Sequence, residues 1–122
     1  MIQFSKREDQ IMQIVWRLEN AFIRDIVEAF PAPKPHYNTV ATIVKILVKK
    51  GALQSKILGN THQYTSAIDF NEYREEQVDN IKQKFFDNSF PKMFAHFAKK
   101  EKLSKKEMEE ILDIINSKTE DS

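Results

Sequence analysis

The chain has no cysteine and only two glycines among its 122 residues. Without cysteine it forms neither a disulfide nor a thiolate metal site, and its three histidines stand far apart, without metal-ligand spacing. Two glycines cannot supply a glycine-rich phosphate loop, and no nucleophile-and-base pattern is visible. We therefore expect a protein that is not an enzyme and that holds no metal or cofactor.

Long apolar runs are also absent. None approaches the roughly 20 residues that a membrane-spanning helix needs. The N-terminus "MIQFSKREDQ" lacks the basic start and apolar core of a signal peptide. The length fits one domain, or a small domain with an appendage. These features predict a cytoplasmic protein without membrane insertion.

Acidic residues are missing from one long stretch, since none lies between Glu28 and Asp69. Residues 1–66 contain nine basic and five acidic side chains, whereas residues 67–122 contain ten basic and thirteen acidic ones. Such an asymmetry indicates that the two halves contact different partners. A polyanion is the natural partner of the basic half.

Two helices are predicted before residue 31. Ser5 and Glu8 have the spacing of a capping box, and the apolar stripe that follows predicts a first helix over about 6–19. That stripe consists of Ile11, Ile14, Val15 and Leu18, with Trp16 at its edge. A shorter stripe ending at Phe30 predicts a second helix, which the prolines of "PAPKP" stop.

The stretch "YNTVATIVKILVKKGAL", residues 37–53, predicts a third helix that begins at His36 or Asn38 and ends at Gly51. Its apolar residues at helical spacing predict one buried face, and every charged residue in it is a lysine. The buried face comprises Val40, Ile43, Val44 and Leu47, and the opposite side comprises Asn38, Thr42, Lys45 and Lys49.

After Gly51 the apolar period changes to two, and Gly59 and Asn60 mark the tip of a short β-hairpin. Three helices followed by a hairpin predict a mainly α fold, a winged helix-turn-helix over 1–68. In it, Asn38 and Thr42 can hydrogen-bond base edges or phosphates, whereas the lysines suit phosphates. The candidate DNA-binding residues are Asn38, Thr39, Thr42, Lys45, Lys49, Lys50, Lys56 and His62.

Residues 69–122 are predicted to form a helical region that pairs with a second copy, because three short helices bury little surface alone. A helix near Pro91 should turn Met93, Phe94 and Phe97 inward, and "SKKE" at 104–107 has capping-box form. The candidate dimerisation residues are Phe70, Tyr73, Ile81, Phe85, Phe94, Phe97, Ile111 and Ile115.

Three segments of the chain resemble the penicillinase repressor family in the same order. "NTVATIVKILVKKGAL" resembles its signature T-V/I-x-T-L/I-x-x-L-x-x-K-G, and "FIRDIVEAF" resembles its second helix. "KKEKLSKKEMEEILDIIN" resembles its C-terminal segment, in which a Leu-Ser pair opens the last helix. Asn38 and Ala41 depart from the residues that are common in the family.

The resemblance implies a homodimeric transcriptional repressor on a pseudo-palindromic DNA operator, with helix 3 in the major groove and the wing along the backbone. It also implies relief of repression by proteolysis in the dimerisation region, under a membrane-bound sensor metalloprotease that responds to β-lactam. The scissile Asn-Phe of the family corresponds to His96-Phe97 here.

Other interpretations fit parts of the pattern. A solvated outer face with a well-capped helix end would also carry lysines. A winged helix also serves as a protein-interaction module, although such a module needs no acid-free basic stretch. A repressor controlled by a small-molecule ligand is a further alternative, for which the sequence offers no polar pocket.

Overall fold

The computed structural model describes residues 2–118 and contains six helices and one hairpin in that range. The prediction of a mainly α protein with a small β-hairpin is confirmed. The elements are α1 (Lys6–Leu18), α2 (Ile23–Ala29), α3 (Tyr37–Lys49), β1 (Leu53–Leu58), β2 (Thr61–Ser66), α4 (Phe70–Phe85), α5 (Phe90–Lys100) and α6 (Lys105–Lys118).

The chain forms two compact units, Met1–Arg74 and Glu75–Ser122. The sequence places the division after residue 68, whereas the first unit of the structure also includes the first turn of α4.

The core of the first unit lies between α1, α2, α3 and the hairpin. Val40, Val44 and Leu47 are fully buried, as the helical stripe of α3 predicts, and Ile43 is half-buried beside them. Leu18, which the α1 stripe would bury, is 39% exposed because it lies at the last residue of the helix. Met12 is buried instead. Each buried side chain of this size contributes on the order of 1.5–3 kcal/mol.

Helix boundaries in this unit follow from local hydrogen bonds. Ser5 and Glu8 form the predicted capping box, with each side chain accepting from the other's backbone N–H. α2 ends where the Lys34 ammonium donates to the carbonyls of Glu28 (2.6 Å) and Phe30 (2.9 Å), which satisfies two carbonyls that the helix leaves open.

His36 is the residue that caps α3, although its side chain makes no capping hydrogen bond. Of the two starts that the sequence allows, the structure therefore selects the earlier one. At the other end Gly51 has φ +85°, a conformation that favours glycine. α3 ends before this residue, and the chain then continues into β1.

The hairpin is tied to the connection between α1 and α2. β1 and β2 pair antiparallel in a register that places Ile57 opposite His62 and Ser55 opposite Tyr64. Ala21 forms an isolated bridge with Tyr64, with N···O distances of 2.9 and 2.7 Å. This bridge fixes β2, and with it the wing, to the connection between α1 and α2.

The first turn of α4 packs on α1 through aromatic rings. The Trp16 indole N–H donates to the Ile68 carbonyl at 2.9 Å, and its ring lies 5.2 Å from that of Phe70 and 5.0 Å from that of Tyr73. Phe4 adds a further ring contact to Tyr73 at 5.6 Å. Trp16 is therefore half-buried by residues that follow the hairpin.

The second unit buries little of its apolar surface. Met93 is 8% exposed, but Phe94 and Phe97 are 40% and 44% exposed, so the prediction that all three turn inward is wrong for the two phenylalanines. Short helices in so small a unit cannot cover both faces of α5. The capping box of α6 is confirmed, since Ser104 and Glu107 exchange hydrogen bonds of 3.1 Å.

Candidate nucleic-acid interface

The outer side of α3 presents Asn38, Thr42, Lys45 and Lys49, which recur at intervals of four, three and four residues. That spacing places them in one line along a helix, and all four side chains are exposed. The buried valines and leucine of α3 occupy the opposite side. One polar and basic line thus runs the length of the helix.

Asn38 and Thr42 differ in what they offer a ligand. The Thr42 hydroxyl donates to the Asn38 carbonyl at 2.9 Å, a bond within the helix that uses its proton and leaves the oxygen as an acceptor. The Asn38 side chain is exposed and carries both amide donors and a carbonyl acceptor. Asn38 is therefore the more versatile of the two for contacting a base edge.

Lys50 has a partner inside the protein that the sequence did not reveal. Its ammonium lies 2.8 Å from Glu8 Oε1 and 3.3 Å from the Gln3 carbonyl. Glu8 is only 7% exposed, and the hydrogen bond from Lys50, followed by that from the Ser5 N–H, lowers the pKa of its carboxyl. The helical period places Lys50 and Thr39 to one side of the line formed by Asn38, Thr42, Lys45 and Lys49.

On the wing, Lys56 is exposed and paired with Gln63 across the hairpin. His62 Nδ1 shares a hydrogen bond of 2.8 Å with the Ser55 hydroxyl, so Nε2 is the ring nitrogen that can still bond to another group. Ile57, opposite His62, is 69% exposed and was not singled out from the sequence.

A depression of about 300 Å³ adjoins the start of α3 and was also missed from the sequence. It is lined by Phe22, Ile23, Arg24, Tyr37 and Thr61, which come from three separate elements or their edges. Burial raises the pKa of the neighbouring Tyr64, and the Tyr37 phenol adds to that effect. The one available sequence signal was the position of Arg24 in the basic half.

The dimerisation candidates fall into two groups. Phe70 and Tyr73 contact Trp16 within the first unit, as described above. In the second unit Ile81, Phe85 and Ile115 are 43%, 66% and 53% exposed, and Ile111 is half-buried. His96 and Phe97 belong to α5, where the His96 ring lies 5.5 Å from that of Phe86.

Within residues 2–118, no helix is both long and apolar enough to cross a bilayer. The same residues contain no cluster of three or more histidine, aspartate or glutamate side chains placed to hold a metal ion.

Two known regulatory proteins are similar in sequence to almost the whole chain. Methicillin resistance regulatory protein MecI of Staphylococcus aureus (strain N315) is 28% identical over 117 residues, covering 95% of each chain. The penicillinase repressor of Bacillus licheniformis is 25% identical over 118 residues, covering 93% of this chain and 89% of its own.

A solved structure matches in fold. The solution structure of the monomeric form of Bacillus licheniformis BlaI in complex with the blaP half-operator is 26% identical, with a TM-score of 0.50. The match covers 59% of this chain and 89% of that one. The prediction of a winged helix is thereby confirmed.

The sequence model of the penicillinase repressor family matches residues 4–117 of this chain. Because the relatives are repressors and regulatory proteins, the prediction of a protein that is not an enzyme is confirmed. The chain belongs to the penicillinase repressor family.

Proposed function

We propose that the chain is a homodimeric repressor that binds a pseudo-palindromic DNA operator through α3 and the wing. The observation that carries this proposal is the exposed line of Asn38, Thr42, Lys45 and Lys49 within a stretch free of acidic residues. Lysines of this line contact phosphates, whereas Asn38 and Thr42 contact base edges. The solved complex of BlaI with the blaP half-operator, which shares this fold, supports operator binding by the chain.

Binding of duplex DNA at several salt concentrations tests this docking face. The double variant Lys45→Gln/Lys49→Gln should flatten the dependence of log K on log salt by about 1.8, since each lost phosphate contact removes about 0.9. Lys99→Gln/Lys100→Gln on α5 removes the same charge from the second unit and should leave the slope unchanged. Equal slopes for both double variants would contradict the docking face.

The exposed apolar side chains of the second unit support pairing of two copies through that unit. Phe85, Leu112, Ile114 and Ile115 are each more than half exposed, which is unusual for an isolated soluble unit of this size. Burying them against a second copy removes that surface from water. Two linked winged helices then bind two half-sites, and the second contact gains a high effective concentration.

Release of the operator would follow from cleavage at His96-Phe97 by a membrane-bound sensor metalloprotease. Cleavage there would separate the two DNA-binding units without altering α3, so the gain from linkage would be lost. Both residues lie inside α5, and a protease that needs an extended substrate must engage a locally opened form of the helix. Co-expression with the sensor and intact-mass measurement tests this step, and derepression of the promoter with an uncut chain would exclude it.

A further inference from the structure

The depression beside α3 gathers polar groups from different elements onto one small surface. Arg24 lies in the first turn of α2, Tyr37 is the first residue of α3, and Thr61 opens β2 at the wing. Phe22 and Ile23 form its apolar side. We name this set of five residues the α2–α3–wing seat.

The three polar side chains of the seat remain available to a ligand. Arg24 is exposed, and it belongs to none of the ion pairs formed within residues 2–118. Tyr37 is 54% exposed. Asp25, the next residue in the sequence, already has a partner, because its Oδ2 accepts the Phe22 N–H at 3.0 Å. Glu28, one helical turn from Arg24, is the other acidic residue on α2.

The chemistry of the seat matches one ligand class. A guanidinium presents a planar fork of donors that fits two phosphate oxygens, and phenol and hydroxyl groups add single donors. The apolar side contributed by Phe22 and Ile23 suits the adjoining sugar. A guanidinium also pairs with a guanine edge, but only a backbone phosphate compensates its charge.

The position of the seat gives such a contact a function. Tyr37 directly precedes Asn38, the first residue of the outer line of α3. A phosphate held in the seat would therefore fix where Asn38 meets the bases. Phosphate contacts carry no sequence information themselves, but they set the register of a recognition helix.

We propose that the α2–α3–wing seat binds one backbone phosphate of each operator half-site and sets the register of α3 on the bases. This inference rests on the proposed DNA-binding function and adds three residues to it. Arg24 is the main ligand, and Tyr37 and Thr61 complete the contact.

A scan with neutral phosphate analogues tests the seat. The probe is a series of short half-site duplexes, of a sequence selected from a random pool by the wild-type full-length protein, each with one phosphate replaced by methylphosphonate. Wild-type protein should lose affinity at each phosphate that it contacts, and by about tenfold at the one that the seat holds, the size expected for a charge-assisted contact. Arg24→Gln should bind the unmodified duplex about tenfold more weakly and should show no further loss at that phosphate.

Two variants sharpen the result. Tyr37→Phe removes only the hydroxyl and should cost about threefold, with its loss also absent at the same phosphate. Arg17→Gln removes an exposed arginine on α1 and should match wild type at every position. Circular dichroism confirms that each variant is folded.

The outcomes separate the seat from the proposed function. If Arg24→Gln matched Arg17→Gln while Lys49→Gln still weakened binding, the seat would be wrong and the docking face of α3 would stand. If wild-type protein showed no salt-dependent binding to any duplex, both proposals would fail together. A loss in Arg24→Gln that was spread evenly over all phosphates would show a general charge effect and would overturn the seat.

Discussion

The ammonium of Lys50 lies 2.8 Å from a carboxylate oxygen of Glu8, joining the end of α3 to the start of α1 across 42 residues of sequence. The same carboxylate oxygen accepts the Ser5 N–H at 2.8 Å. One buried group therefore closes the capping box of α1 and fixes the last turn of α3. Because α3 carries the proposed DNA-reading face, this ion pair helps to fix the position of that face.

Acid should weaken the folded state through Glu8. The pKa of Glu8 is lowered in the folded protein by the hydrogen bond from Lys50, whereas the pKa of an unfolded glutamate is about 4.3. The contribution of Glu8 is thus fully present above that value and is lost as the pH falls through the lower folded pKa. Urea unfolding of wild type and Glu8→Gln from pH 7 to 3 measures this.

The difference in free energy of unfolding between the two proteins should be about 1–2 kcal/mol near pH 7, given a charged hydrogen bond with a partly exposed partner. It should shrink below about pH 4 as wild-type Glu8 is protonated. Glu107→Gln, at the exposed capping box of α6, is the matched control and should cost less. A difference in free energy of unfolding that stayed constant down to pH 3 would contradict this role of ionised Glu8.

Lys49 and Lys50 should behave differently although they are neighbours of one residue type. Lys49→Gln should reduce the salt slope of DNA binding by about 0.9 without changing stability. Lys50→Gln should lower the free energy of unfolding by about 1 kcal/mol and change the slope less, because its ammonium is held by Glu8. Urea melts and fluorescence anisotropy with labelled duplex give both quantities. Identical effects on stability and slope would refute the distinction.

Truncation after residue 74 should give a more stable winged helix than truncation after residue 68. The longer fragment keeps Phe70 and Tyr73 against Trp16, and each ring contact is worth about 0.5–1.5 kcal/mol. The midpoint of thermal unfolding compares the two fragments. Trp16→Phe in the longer fragment should remove part of the difference, and equal midpoints for the two fragments would show that the first turn of α4 adds nothing.

Charge placed on the exposed face of the second unit should separate the dimer. Phe85 is 66% exposed, and Phe85→Glu should raise the dimer dissociation constant at least about tenfold if this side chain is buried between copies. Leu18→Glu, also at an exposed apolar position but on α1, is the control. Sedimentation equilibrium at micromolar concentration measures both. A wild-type protein that sedimented as a monomer would count against the dimer.

Local patterns in the sequence predicted local structure well. The capping boxes at Ser5 and Ser104, the buried stripe of α3 and the hairpin tip at Gly59 each depend on residues only a few positions apart. Neighbouring residues fix these features through backbone hydrogen bonds and side-chain period, so the sequence carries them directly.

Contacts between distant residues were not predictable in the same way. The bridge from Ala21 to Tyr64, the Glu8–Lys50 pair and the Trp16 bond to Ile68 span between 42 and 52 residues. No periodicity links such positions, because they meet only once the helices have packed. The α2–α3–wing seat was missed for the same reason, as its residues come from separate segments.

The central claim, that two copies read DNA through the outer side of α3, is tested most directly by selecting duplexes from a random pool with full-length protein. The account predicts enrichment of an inverted repeat whose half-sites lie about 34–36 Å apart, or a multiple of that distance. Asn38→Ala should change the preferred bases within each half-site while keeping the spacing. The claim would be contradicted if no repeated motif were recovered. It would also be contradicted if Asn38→Ala, Thr42→Ala and the Lys45/Lys49 variant all left the sequence of the motif and the affinity for it unchanged.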